Sequence, residues 1–188
     1  MKKLILGLMV LLISLSVSNV IANTPLNADN VIIKDNIPEG WDKGEIGTKN
    51  KYEVGIDTKI FRSAPDSYFI KSIANDIEKE GYCMLWHIMD KKYFGKRVKI
   101  SVHLKAEGMV SSAFLFLMTP KSEPSRHWKG ISKDTDWQEI SLVMDIPLAE
   151  SRVEYSCYGI SLWNKGQVWI DDLKIEVVDG NTPLDSMH

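Results

Sequence analysis

The sequence predicts an all-β protein, a two-sheet antiparallel β-sandwich of jelly-roll type. Apolar and polar residues alternate with a period of two along most of the chain. Clusters of Gly, Pro, Asn, Asp and Ser, such as Asn36–Gly40, Pro120–Ser125 and Asn164–Gly166, interrupt that alternation at short intervals. No segment sustains a helical stripe, and there is no βα rhythm. Such a pattern packs sheet upon sheet.

The first 22 of the 188 residues, MKKLILGLMVLLISLSVSNVIA, are expected to stand outside the fold. Lys2 and Lys3 precede an apolar run from Leu4 to Leu15, and no acidic residue occurs. Val20 and Ala22 place small residues at the −3 and −1 positions, so the segment reads as a secretory signal peptide cleaved before Asn23. The run is shorter than the ~20 apolar residues a span requires, and no later stretch reaches that length. The protein is therefore expected to be exported, periplasmic or secreted, with no membrane span after cleavage. Residues 23–37 read as a lead-in, 38–179 as the sandwich, and 180–188 (GNTPLDSMH) as a flexible tail.

Three strands are strongly patterned. Residues 97–105 (RVKISVHLK) put Val98, Ile100, Val102 and Leu104 on one face. Residues 137–146 (WQEISLVMDI) turn Ile140, Leu142, Met144 and Ile146 inward. Residues 167–178 (QVWIDDLKIEVV) place Trp169, Asp171, Leu173, Ile175 and Val177 together, with Lys174 and Glu176 opposite. Weaker strands are expected at 51–57, 67–73, 82–89, 112–118 and 153–162. Only 71–80 and 89–94 offer room for a helical turn.

Composition narrows the function classes. The formal net charge of −2 falls to about −4 without the leader, too weak a positive field to favour nucleic acid. An apolar content of 44% excludes intrinsic disorder. Cys83 and Cys157 would meet an oxidising compartment, where a bond between them closes a loop of about 75 residues and contributes about 4 kcal/mol. Two buried free thiols are the other reading.

Catalytic signatures are missing. The chain carries no G-x-S-x-G elbow, no H-E-x-x-H pair, no phosphate-cradling Gly loop and no C-x-x-C motif. A hydrolase would have to be assembled from His87, His127 and an acidic residue, which no spacing requires. Asp171 carries more information, because strand parity places it on the core side, where a lone carboxylate costs several kcal/mol. It needs either a structural Ca²⁺ or backbone N–H donors, and both remain open. Asp172 should then face solvent.

Six tryptophans are many for this length. Trp137 and Trp169 read as core or sheet-edge packing, and Trp41 as part of a turn. Trp86, Trp128 and Trp163 each sit beside polar residues: His87 and Asp90, Arg126 and His127, Asn164 and Lys165. A flat ring beside hydrogen-bonding groups suits a sugar, whose C–H face stacks while its hydroxyls are paired. The same rings could instead cover the ends of the sandwich. The run Arg126-His127-Trp128-Lys129 suits either an anionic group or a solvated loop.

An ordered set of motifs then becomes recognisable. Tyr93-Phe94-Gly95-Lys96-Arg97-Val98, Thr135-Asp136-Trp137-Gln138, Met144-Asp145-Ile146-Pro147 and Gly166-Gln167-Val168-Trp169-Ile170-Asp171-Asp172 with Glu176-Val177-Val178 resemble a bacterial family with a galactose-binding-domain-like jelly roll. The resemblance runs over residues 38–184 and is strongest from 93 onward. It implies a fold shared by stand-alone exported proteins and by modules attached to others, transcription regulators among them. Its wider relatives are carbohydrate-binding modules, which often hold a structural Ca²⁺ between an N-terminal acidic motif and the Asp-Asp strand. Here Asn27-Ala28-Asp29-Asn30-Val31 stands in place of their Asn-x-x-Phe-Glu, and Trp86 stands where they tend to carry Gln. The expectation is an exported, non-catalytic module needing no cofactor, binding a glycan or similar polar ligand through Trp86, His87, Arg126, His127, Trp128 and Trp163. A cell-envelope structural or protein-interaction domain is the alternative.

Overall fold

Period-two alternation gives each strand two unlike faces, and two sheets can bury their apolar faces only against each other. The computed structural model describes residues 33–34, 36–47, 51–74, 81–119, 125–148 and 156–185, with the side chains of 33–34 and 125–127 outside that description. Among the described residues the strands are β1 (Ile33–Lys34), β2 (Ile37–Pro38), β3 (Trp41–Ile46), β4 (Tyr52–Asp57), β5 (Ser67–Ser72) and β6 (Tyr82–Ile88). They continue with β7 (Arg97–Glu107), β8 (Ala113–Thr119), β9 (Ser125–Ile131), β10 (Thr135–Asp145), β11 (Cys157–Trp163) and β12 (Gln167–Val177). One five-stranded sheet has the order β10-β7-β12-β5-β4, the other β3-β6-β11-β8-β9, and β1 pairs only with β2. Every pairing is antiparallel.

The core lies between the sheets. Val98, Ile100, Val102 and Leu104 of β7 face Leu85, Leu115, Leu117, Ile160 and Leu162 across it, all fully buried. Ile140, Leu142, Met144 and Ile146 complete one side, as their alternation requires. Each such side chain contributes about 1.5–3 kcal/mol by leaving water.

The eight expected strands are present within a few residues of their expected ends, and the helical possibility at 89–94 is a single 3-10 turn at Lys91–Tyr93, capped by Asp90. In the other expected helical stretch, Lys71 and Ser72 end β5, and residues 75–80 lie outside the description. Two longer strands are additions. Trp41 begins β3 instead of closing a turn, and Arg126–Lys129 belong to edge strand β9, not to a loop.

The parity of β12 is a correction. A register shift between Asp171 and Lys174, with Asp172 at φ 51°, inverts the alternation. Val168 and Ile170 face the core before the shift, and Leu173 and Ile175 after it. Trp169 and Asp171 therefore point to the outer side of the sheet, opposite Lys105 and His103. They are buried there by the segment 57–66. Asp57 accepts from the Trp169 indole N–H at 2.9 Å, and the backbone N–H groups of Arg62 and Ser63 donate to Asp171 Oδ2 at 2.8 and 2.9 Å. Asp172, expected to face solvent, is 8% exposed and is held by Arg62 and by the Ser63 hydroxyl at 2.9 Å.

The tail is also held. Arg97 donates to the carbonyls of Gly180 and Thr182, and Asp185 caps the Val143 N–H at 2.7 Å. Residues 1–32, including the expected leader, and 186–188 lie outside the description.

Burial raises the Asp172 carboxyl, but hydrogen bonds from Ser63 and Arg62 and the Arg62 charge outweigh it, leaving the group below its ordinary value. At Asp171 burial wins over the same kind of donors, and the carboxyl is raised. A lowered folded pKa means stability that is fully present above the unfolded value of about 3.9 and is lost as pH falls through the folded value. Asp172→Asn is thus expected to be less stable than the parent at pH 7 and to lose less stability on acidification below about pH 4. Urea midpoints measured from pH 7 down to pH 2 check this, and parallel curves would refute it.

Candidate functional site

The site follows from alternation on the second sheet. On β6 the residues Tyr82, Met84, Trp86 and Ile88 point away from the core, while Cys83 and Leu85 point into it. On β8 the outward set is Phe114, Phe116 and Met118, and on β11 it is Gly159, Ser161 and Trp163. Edge strand β9 adds Trp128, opposite Phe116. Three adjacent strands are therefore apolar on both faces, although only one face meets the other sheet.

The rings on this face hold one another. Tyr82 stacks on Trp163 with centroids 5.0 Å apart and planes 13° apart, as their register opposition allows. Phe114 meets Trp163 edge-on at 5.8 Å and lies tilted 33° against Trp128 at 5.8 Å. The two indoles stand perpendicular, at 89° with centroids 5.9 Å apart. They form a corner over a groove of about 190 Å³ that Met84, Phe116, Met118 and Ser161 complete. Among the described residues no lining side chain is charged.

Two glycines keep the floor close. A Cβ at Gly159, opposite Trp86 and Phe116, would lie 2.2 Å from the Leu85 carbonyl oxygen. A Cβ at Gly130, opposite Phe114, would lie 1.9 Å from that of Ala113. Strands at this separation tolerate no side chain there, so the rings of neighbouring strands define the groove walls.

The expected site residues separate. Trp128 and Trp163 line the groove together. Trp86 shares the face, but its indole nitrogen lies near Gly44 on β3, 3.8 Å from where a Cβ would be, so it stands beside the groove. His87 is on the opposite face, in a ring cluster with Trp41 and Tyr158, and its Nδ1 meets the Ile88 carbonyl. The side chains of Arg126 and His127 lie outside the described residues; their backbones stand opposite Met118 and Leu117. The lining residues Tyr82, Met84, Phe116, Met118 and Ser161 were not among the expected ones.

The backbones of the two histidines in the hydrolase reading stand apart. His87, Tyr158, Leu117 and His127 form one row across four strands, which sets the two histidine backbones about 14 Å apart. Asp171 has the surroundings of a hydrogen-bond acceptor. Its oxygens take the N–H groups of Arg62, Ser63 and Asp172, and a guanidinium sits on the adjacent carboxylate. Those donors hold the Asp171 carboxylate by hydrogen bonds, and the N-terminal residues 27–31 named in the calcium reading lie outside the described residues.

The disulfide expectation is corrected. Cys83 pairs with Leu162 and Cys157 with Ile88, five residues apart along the same ladder and on opposite faces. That offset is about 17 Å, against the ~7 Å limit for a bond. Both thiols are free and buried.

No protein-family model matches the chain. An uncharacterised HTH-type transcriptional regulator of Bacillus subtilis, YbfP, is 25% identical over 144 residues, covering 73% of this chain. The chain spans about half, 48%, of that relative's length. Among solved structures, a family 16 carbohydrate-binding module superposes with a TM-score of 0.56 at 11% identity, covering 84% of this chain and 99% of that one. The CBM22-1 xylan-binding domain of Paenibacillus barcinonensis Xyn10C superposes at 0.53 with 12% identity, covering 77% and 89%. At these identities the likeness establishes the β-sandwich fold.

Burial pushes the Cys83 thiol up to about 12 and that of Cys157 up to about 11. Neither should therefore supply thiolate at pH 8. A thiol reagent is expected to leave the folded protein unlabelled and to modify both cysteines in 8 M urea without prior reduction. Labelling only after reduction would restore the disulfide.

Proposed function

We propose that this protein is an exported, non-catalytic binding module whose groove on the outer face of the β3-β6-β11-β8-β9 sheet holds a glycan. The observation that carries the reading is the perpendicular pair Trp128 and Trp163 over a groove whose described lining side chains are uncharged. A pyranose presents C–H groups on its ring face, and these pack on an indole, while its equatorial hydroxyls stay in water or meet polar atoms at the rim. The two superposing structures are carbohydrate-binding modules by name, one of them for xylan, and they support the same class of ligand. The distance between His87 and His127 supports binding without turnover. Export is supported by the signal-like leader, and no helix among the described residues is long and apolar enough to cross a membrane.

A protein partner is the second reading. Ile46 and Ile88 lie on the same sheet face, 49% and 45% exposed, and widen the apolar surface beyond the groove. They are the handle that separates the two: a glycan held by the indoles is indifferent to Ile46→Ser and Ile88→Ser, whereas a protein lying across the sheet is not.

Trp128→Ala and Trp163→Ala are each expected to weaken oligosaccharide binding about ten- to a hundredfold, since each removes an aromatic wall. Trp137→Ala, on the other sheet, should leave binding unchanged. A glycan array followed by titration calorimetry on the purified protein reads this. Binding to no polysaccharide at all, or affinities indifferent to both groove tryptophans, would remove the basis of the proposal.

A further inference from the structure

Resting on the glycan reading, we infer that the groove selects a neutral sugar carrying an acetyl group, with that group seated in the corner between Trp128 and Trp163. The size and chemistry of the groove point there. Its volume of about 190 Å³ is below the ~300–1,000 Å³ of pockets that enclose a whole small molecule, so it takes one ring or one substituent of a longer ligand. A bare sugar ring brings several hydroxyls, each needing a partner once water is expelled. The lining is instead made of thioethers and aromatic rings, which suit a methyl group.

One polar group faces this apolar lining from below. Ser161 is 4% exposed and sits at the middle of β11 opposite Met84 and Phe114, with its side chain in the groove lining. Beyond the ring-borne N–H and O–H groups, its hydroxyl is the only N–H or O–H group among the described lining side chains. A hydroxyl both donates and accepts, so it can pair with the carbonyl oxygen of an acetyl group or with an acetamido N–H. An acetyl group thus satisfies the groove twice, placing its methyl against Met84, Met118 and Phe116 and its polar end on Ser161. A uronate or a free ammonium would find no countercharge among the described lining side chains, and both are disfavoured.

The test uses matched pairs. Chitohexaose and cellohexaose share their linkage and differ in the acetamido group. Acetylated and deacetylated xylohexaose isolate the ester form of the same chemistry. Calorimetry on the purified protein is expected to show about tenfold tighter binding of the acetylated member in at least one pair, and which pair identifies the source. Equal affinities within both pairs would overturn the inference while leaving the glycan reading standing. Binding of none of the four would sink the glycan reading itself. In Ser161→Ala the acetylated-to-bare affinity ratio should fall toward one with the bare oligosaccharide still bound; a ratio unchanged from the parent would overturn the role given to Ser161.

Discussion

A sheet in a two-layer sandwich needs one apolar face, and the β3-β6-β11-β8-β9 sheet has two. Everything about the groove depends on that excess. Leu85, Leu115, Leu117, Ile160 and Leu162 already satisfy the core. Tyr82, Met84, Phe114, Phe116, Met118, Trp128 and Trp163 on the other side therefore contribute little to holding the sheets together. Leaving such side chains in water forgoes about 25 cal/mol for each Å² not buried. Mutual ring packing recovers part of this, in the Tyr82–Trp163 stack and in the edge-on contacts around Phe114 and Trp128. The remainder is surface that becomes favourable only when something covers it.

The other sheet shows the contrast. Its outer face is laced with ion pairs, Arg97 with Asp145, Lys99 with Glu139 and Lys105 with Asp136, and is strapped by the segment that Asp171 and Asp172 hold. Such surface pairs add little stability, but they keep that face wet. Trp169, opposite Phe69 of β5 on that face, is 3% exposed beneath the strap. Trp169 is thus covered by a segment of the chain itself, whereas the rings of the other sheet's outer face line an open groove.

Much of the architecture is legible in the sequence because period-two alternation is a direct consequence of strand geometry. The alternation of 97–105 and 137–146 predicts which side chains meet the core, and Val98, Ile100, Ile140 and Leu142 are there. Alternation fails where the backbone stops alternating. At Asp171–Asp172 one residue with positive φ swaps the faces, and nothing in a parity count announces it. Strand β9 is hidden for a different reason. Arg126, His127 and Lys129 read as a charged loop, yet an edge strand needs only one partner and favours charges that block a second.

The groove was half legible, and the missing half has one physical cause. A tryptophan beside a polar residue in sequence suggests a joint site, but in a strand successive side chains point to opposite faces. Trp86 and His87 are accordingly separated by the sheet itself, and the true neighbours of Trp163 are Tyr82 across the ladder and Ser161 two positions back. The usable signal was the pair of segments YCMLWHI and AFLFLMT, apolar at odd and even positions alike in a sheet with only one face to bury. A strand of that kind belongs in the middle of three layers or under a ligand. Because the walls of the groove arise from neighbouring strands and their rings pack on one another, a ligand meets side chains already ordered by the fold. That spares the roughly 0.5–1.5 kcal/mol that each freely rotating side chain would cost on binding. The same register that stacks Tyr82 on Trp163 thus sets both the shape of the groove and the small penalty for filling it.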